Sequence, residues 1–316
     1  MASQPSTTSA AYFASLHVPG NPIVIPNIWD ISSLNTILSL NSPSPSSSSS
    51  SSPPNPSPPI KAIATASYAI ASSLNLADSD LSLGANLIRI RQLAPYVRKA
   101  GLPLTVDIQD GYGERLDEVV RAVVEAGAVG ANVEDLRDDG NGGLLWTLDE
   151  QVERLKRVME VARESGCEGF VLNARCDVLN SASRPPCSHS SAHSQTKSSS
   201  QGDTVDDGDG VDDKRLLNET IKRGKAYLEA GATTVFVWGG PTRGLRDHEI
   251  RILIKEFGGR LAVKLGGNGN GDGTALSVEE LATMRVARIT VGPSLYLAAC
   301  RAVREGAERI VGGGRL

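Results

Sequence analysis

One unit recurs along this chain and constrains its fold more than anything else: a helix halted on glycine that feeds directly into a strand of β-branched residues. The unit is plainest where Val124-Glu125-Ala126-Gly127-Ala128 leads into residues 129–133, and again where Leu228-Glu229-Ala230-Gly231-Ala232 leads into 233–237. Strands are expected at 22–27, 61–66, 104–108, 129–133, 169–174, 233–237, 261–265 and 288–291. Helical periodicity separates them, at 30–40, 82–100, 114–127, 148–165, 214–230, 246–257 and 277–283, with a first helix at 8–17 and a last at 293–310. Eight strands alternating with helices imply parallel β/α units closed into a (β/α)8 barrel. An open doubly wound sheet would want a G-x-G-x-x-G turn after its first strand, and Pro26-Asn27-Ile28-Trp29 is not one.

Two tracts fall outside this pattern. Residues 41–59 are only Asn, Ser and Pro, and 181–213 are rich in Ser, Asp and Gly. Neither has the apolar surface to offset the entropy of ordering, so both are expected to be disordered insertions. The 316 residues less the 19 and 33 of these tracts leave 264, close to the roughly 250 of one α/β barrel. A single domain over 1–316 with two decorations follows.

The formal charge of −4 is concentrated in 181–213, where six Asp face only Arg184 and Lys197. The remainder is neutral and carries no basic stripe, which argues against a nucleic-acid partner. Four cysteines without a CxxC pair suit a reducing compartment. The first twenty residues lack the charge and apolar core of a targeting signal, and no apolar run has the length of a membrane span. A cytoplasmic protein is expected.

Barrel active sites form where strands run into the loops that follow them. There the sequence places Asp78 after strand two, Asp107 at the end of strand three, Glu134 and Asp135 at the end of strand four, and Arg175 at the end of strand five. Acids on consecutive strands facing a guanidinium fit a hard cation and an anionic substrate. Mg²⁺ takes one or two carboxylates directly and keeps several waters, so most of these acids would act through water.

Five phrases carry a family resemblance: Pro26-Asn27-Ile28-Trp29-Asp30, Asp107 with Gly111-Tyr112-Gly113, Val133-Glu134-Asp135, Asn173-Ala174-Arg175 with Asp177, and Val291-Gly292-Pro293-Ser294. In order and placement they resemble the isocitrate lyase/phosphoenolpyruvate mutase superfamily, over about residues 12–310, in the manner of a phosphoenolpyruvate phosphomutase-like member. The resemblance implies a Mg²⁺-dependent lyase or phosphonomutase that breaks or forms a C–C or P–C bond in a small α-oxy or α-keto acid through an enolate. It also implies a homodimer or homotetramer with an exchanged final helix. By position, Asp107 matches the direct metal ligand, and Asp78 and Glu134 match acids that hold the metal's waters. Gln109 stands where relatives often carry a second metal-associated Asp, and Arg175 matches the carboxylate-gripping arginine. Ser67, Tyr68 and Trp238 are expected to line the substrate site, with Tyr112 and Asn141 as candidate catalytic groups.

The departures concern proton transfer. The lyases carry a Lys-Lys-Cys-Gly-His segment after strand four, whereas residues 136–144 here hold no Cys, Lys or His. The mutases place a histidine after strand six where this chain has Trp238. No general acid or base is identifiable, which leaves open a degenerate member serving as a small-carboxylate-binding or scaffold protein. Cys187, His189 and His193 have metal-like spacing, but the Ser-rich tract around them gives no fixed geometry. Cys176 is read as packing, and residues 266–273 as either a phosphate-cradling loop after strand seven or a flexible turn.

Overall fold

A computed structural model describes residues 7–42, 58–137, 143–181, 208–266 and 275–315. Its first strand, β1, has two segments, Ile23–Ile25 and Asn27–Ile28, parted at Pro26. Proline has no N–H to offer a ladder, so the strand changes neighbour there. The other barrel strands are β2 (Ile63–Thr65), β3 (Leu104–Asp107), β4 (Gly130–Glu134) and β5 (Val171–Cys176). They continue as β6 (Thr234–Val237), β7 (Leu261–Lys264) and β8 (Arg288–Thr290). Every neighbouring pair is parallel, and β1 joins β8 through Ile23–Ile25 and β2 through Asn27–Ile28. The two segments of β1 thus close the sheet into the expected eight-membered cylinder.

The outer wall follows from helical periodicity. In the helix Leu116–Ala126 the residues Leu116, Val119, Val120, Val123 and Val124 are buried, an i, i+3, i+4 stripe turned to the sheet. Gly127 closes it in the left-handed region (φ 106°), where a side chain would be strained, and the chain then enters β4. Capping boxes fix other starts: Asp30 with Ser33 before the helix Ile31–Ser39, and Thr147 with Glu150 before Leu148–Glu164.

One local expectation changes, and two local elements add to those expected. The small residues after β2 form a helix, Ser67–Ser73, since alanine and serine pack closely under the barrel rim. The acidic tract does not run unstructured to Asp213: the helix expected from Lys214 starts at Gly208, and Asp213 pairs with Arg243 and Arg246. After β4 the chain forms an antiparallel ribbon, Leu136–Arg137 with Leu144–Leu145. The first tract is pinned at its ends, because the Asn41 amide both donates to the Ile60 carbonyl and accepts from the Ile60 N–H, each at 2.9 Å. This clip lies ahead of β2, at the end of the barrel away from Asp107. Among the described residues no helix is long and apolar enough to cross a membrane.

Candidate active site

At the C-terminal ends of the strands lies a cavity of about 230 Å³. Asp107 and Asp78 line it together with Arg175, Ser67, Tyr68 and Trp238, all expected from sequence. Asp107 is held from several sides. Its Oδ2 accepts from the Ser67 N–H at 3.1 Å, and its Oδ1 accepts from the Gln109 N–H and the Asn132 amide, both at 3.3 Å. Its own N–H donates to Thr65 Oγ1 at 2.9 Å.

The Asn132 contact ends a ladder that crosses four strands at one level. Thr234 Oγ1 donates to Asn173 Oδ1 (2.7 Å), Asn173 Nδ2 donates to Asn132 Oδ1 (3.0 Å), and Asn132 Nδ2 donates to Asp107. The register makes this possible, because Asp107, Asn132, Asn173 and Thr234 are direct partners on β3, β4, β5 and β6. On the other side, Asn27 donates to the Thr65 carbonyl (2.7 Å) and accepts from Thr290 Oγ1 (2.9 Å). All donors in the ladder point toward the carboxylate, so each link helps to hold it in place.

Arg175 is packed rather than free. Nη1 pairs with Glu134 at 2.6 Å and Nη2 with Asp177 at 2.7 Å, while the guanidinium lies 4.1 Å over the Trp238 ring. Nε has no partner among the described residues. Burial works against the charge, yet Asp177 and Glu134 hold it above the ordinary arginine value. Burial also pushes Glu134 well above the usual carboxylate range; Arg175 opposes this, and Asp177, Asp107 and Asp78 add to it. Asp78 is raised by burial and then by the Asp107 carboxylate. Acids crowded in this way are short of positive charge.

The strand-four pair separates. Successive residues on a strand point to opposite faces, so Glu134 meets Arg175 while Asp135 turns away from the cavity. Asp135 accepts from the Asp177 N–H (2.8 Å), Tyr227 Oη (2.7 Å) and Arg223 Nη1 (3.2 Å). It is fully buried; burial and then Asp177 push it up to about 6. It braces the β4 and β5 ends from behind, and the expectation of four acids at the mouth is corrected: Asp78 and Asp107 line the cavity, and Glu134 adjoins it through Arg175.

Other candidates find different places. Gln109 turns its amide to Asp78, donating to the carbonyl at 2.7 Å and to Oδ1 at 3.3 Å. Tyr112 stands behind the cavity, its Oη accepting from Asn86 at 2.8 Å, and burial raises it above the ordinary phenol value. Gln109, expected beside the metal, thus supports Asp78, and Tyr112, expected as a catalytic group, is engaged by Asn86. Cys176 is buried in the core, as read from sequence. Asn141, Cys187, His189 and His193 lie outside the described residues.

Two cations went unnoticed in the sequence. Lys264, at the end of β7, and Arg288, at the start of β8, both line the cavity. Arg288 is buried, its Nε and Nη1 without hydrogen-bond partners among the described residues; burial pulls it down to about 10, with Asp107 acting in the other direction. The signal available was period two. Asn132 precedes Glu134, Asn173 precedes Arg175 and Arg288 precedes Thr290 by two residues, so each pair shares the inner face.

Among the described residues no three carboxylate, imidazole or thiolate side chains are close enough to wrap an ion together. The donors are nonetheless all oxygens, with Asp107 held rigid and Asp78 beside it. A cation that takes one or two carboxylates and keeps its waters fits such a set, and Mg²⁺ behaves so.

A family model described as phosphoenolpyruvate phosphomutase matches residues 13–311. An inferred phosphonomutase of Burkholderia cenocepacia J2315 is 26% identical with a TM-score of 0.70, over 98% of this chain and 99% of that one. A 2,3-dimethylmalate lyase is 19% identical with a TM-score of 0.69, over 97% of this chain and 88% of that one. An oxaloacetate acetylhydrolase solved with 3,3-difluorooxalacetate is 20% identical with a TM-score of 0.69, over 98% and 87%. At those identities the last two speak to fold alone. Two uncharacterized proteins of Mycobacterium tuberculosis are 31% identical over 127 residues, which is 39% of this chain and 40% of their own length.

Proposed function

The chain belongs to the phosphoenolpyruvate phosphomutase family, and on that premise we propose that it is a Mg²⁺-dependent lyase or phosphonomutase-like enzyme. Its substrate would be a small α-oxy or α-keto carboxylic acid, cleaved or formed at a C–C or P–C bond with enolate character. The observation that carries this reading is Asp107, a carboxylate fixed by three donors at the mouth of a cavity that also holds Asp78 and Arg175.

Asp107 would hold the ion, with Asp78 and Glu134 holding its waters. When bound, Mg²⁺ would supply positive charge where negative charge grows on the substrate oxygens. Arg175, planar by resonance and held in place by Trp238, would orient the substrate carboxylate through the guanidinium hydrogens left outside its ion pairs. Ser67 and Tyr68 would close the β2 side. The family also points to a homodimer or homotetramer built on the final helix, Ser294–Val311. Val303 and Val311 there are 73% and 88% exposed.

A second reading, a carboxylate-binding relative without turnover, is favoured by the closure of Arg175 onto Glu134 and Asp177. Calorimetry with oxalate, which mimics pyruvate enolate, tests what the two share. Binding should require Mg²⁺, and Asp107→Ala should abolish it while the far-UV spectrum stays native; retained binding would place the site elsewhere. Turnover on substituted malates, oxaloacetate and phosphonopyruvate then separates enzyme from binder.

A further inference from the structure

Lys264 stands at the C-terminal end of β7, four strands round the barrel from Asp107 on β3, so the two face each other across the cavity. It is half-buried and has no hydrogen bond or ion pair among the described residues. Its described neighbours at the strand ends are Trp238 just after β6, Thr290 on β8 and Gly292 just after β8, none of them charged. The charges that share the cavity are Arg288 deeper in the barrel, Arg175 two strands away, and Asp78 and Asp107 on the far wall. Among the described residues nothing engages this ammonium, which leaves it available to a ligand in the cavity.

Among the described residues, the groups assigned above leave the proposed chemistry without a proton carrier. The β4 loop has no Cys, Lys or His, and Trp238 occupies the position after β6. Arginine does not give up its proton in proteins. Of the remaining cavity-lining side chains, Asp78 and Asp107 are committed to the cation, and Tyr68 lies at the rim, 41% exposed.

We propose that Lys264 is the catalytic acid/base of this site, carrying the proton to and from the enolate carbon on the face opposite Asp107. The assignment rests on Asp107 and Arg175 seating an α-keto acid as described. A substrate fixed there by its carboxylate and adjacent oxygen turns its reacting carbon toward β7. In the protonation direction a C–H bond forms as a Lys264 N–H bond breaks, nitrogen keeps the electron pair, and the amine regains its proton from water. In the reverse direction the neutral amine removes that proton. Burial lowers the Lys264 pKa from its ordinary value, which leaves more of the neutral amine at physiological pH.

The test needs no knowledge of the natural substrate. With Mg²⁺ in D₂O, the wild-type protein should exchange the methyl protons of pyruvate, followed by proton NMR. Lys264→Met should slow exchange by about 100-fold or more while Mg²⁺-dependent oxalate affinity stays within about threefold, about 0.65 kcal/mol by RT ln 3. Lys264→Arg should fail equally, because it keeps the charge without a transferable proton. Exchange retained by Lys264→Arg would mark the residue as an anchor for a second anionic group and overturn the proposal, as would normal exchange in Lys264→Met. Wild-type protein that binds oxalate but exchanges nothing also overturns it. Absent Mg²⁺-dependent oxalate binding is a different failure, that of the proposed function. Independently of any substrate, acetic anhydride labelling of the metal-free protein should titrate Lys264 below the ordinary lysine value. An ordinary titration would count against a poised amine.

Discussion

Replacing Asn132 by alanine cuts the amide ladder one step from Asp107. Asn173, 1% exposed, then loses the acceptor for its Nδ2; an unsatisfied buried donor costs about 1–3 kcal/mol. Asp107 loses one of three donors, and at 3.3 Å that bond is long, so its share falls at the low end of the ~1.5–3 kcal/mol of charged hydrogen bonds. Water from the adjoining cavity can reach both groups and return part of each loss. A net of about 2 kcal/mol is expected, seen as a melting point lower by about 4–8 °C. The functional effect should be larger than that of a simple surface change, since partners that orient a metal-binding carboxylate are worth about 10–100-fold in metal affinity. Calorimetry of Asn132→Ala with Mg²⁺ and oxalate should therefore show affinity reduced about tenfold, the low end of that range because Ser67 and Gln109 still hold Asp107. Thr234→Val removes the far end of the same ladder and leaves Asn132 in place. It should lower the melting point by a comparable increment and change affinity less than about twofold, since no donor to Asp107 is lost. Equal affinity losses in the two variants, or none in Asn132→Ala, would refute the idea that the ladder delivers its effect at Asp107.

Three further outcomes follow. His17 donates from Nδ1 to the Phe13 carbonyl, and burial, then Arg288, lower its pKa to about 3. The unfolded chain therefore binds a proton that the folded one refuses, so this group removes stability as pH falls from about 6.5 toward about 3 and adds no pH dependence above that window; His17→Asn should flatten the acid limb of the melting profile. In Gly130→Ala the new Cβ would lie 2.6 Å from the Val171 carbonyl oxygen and 3.0 Å from the Phe13 ring. Strand backbone cannot step aside, so the cost should reach about 3 kcal/mol, the upper end for overpacking, measurable by urea denaturation. For the proposed oligomer, Val303→Asp on the last helix should shift the sedimentation coefficient from dimer or larger to monomer; a monomeric wild-type protein would refute that assembly.

Periodicity and punctuation in the chain determine much of this protein on their own. Helices that stop at Gly127 and Gly231 before β-branched runs dictate parallel β/α units, and eight such runs dictate closure. Strand ends dictate the rim, so Asp78, Asp107 and Arg175 were legible there, and they share one cavity. These are local or one-dimensional properties, and a sequence records them directly. Which of two adjacent acids faces inward is another matter. Glu134 and Asp135 are equivalent as text; the pairing of β4 with β5 sends one to Arg175 and the other to Arg223 and Tyr227. The same holds for the ladder from Thr234 to Asp107, whose members lie up to 127 positions apart and meet only because register aligns them. Lys264 stands out only when closure sets β7 opposite β3 with no carboxylate beside it among the described residues. Charge compensation, burial and facing are sums over strands distant in sequence, so they exist only once the cylinder has closed.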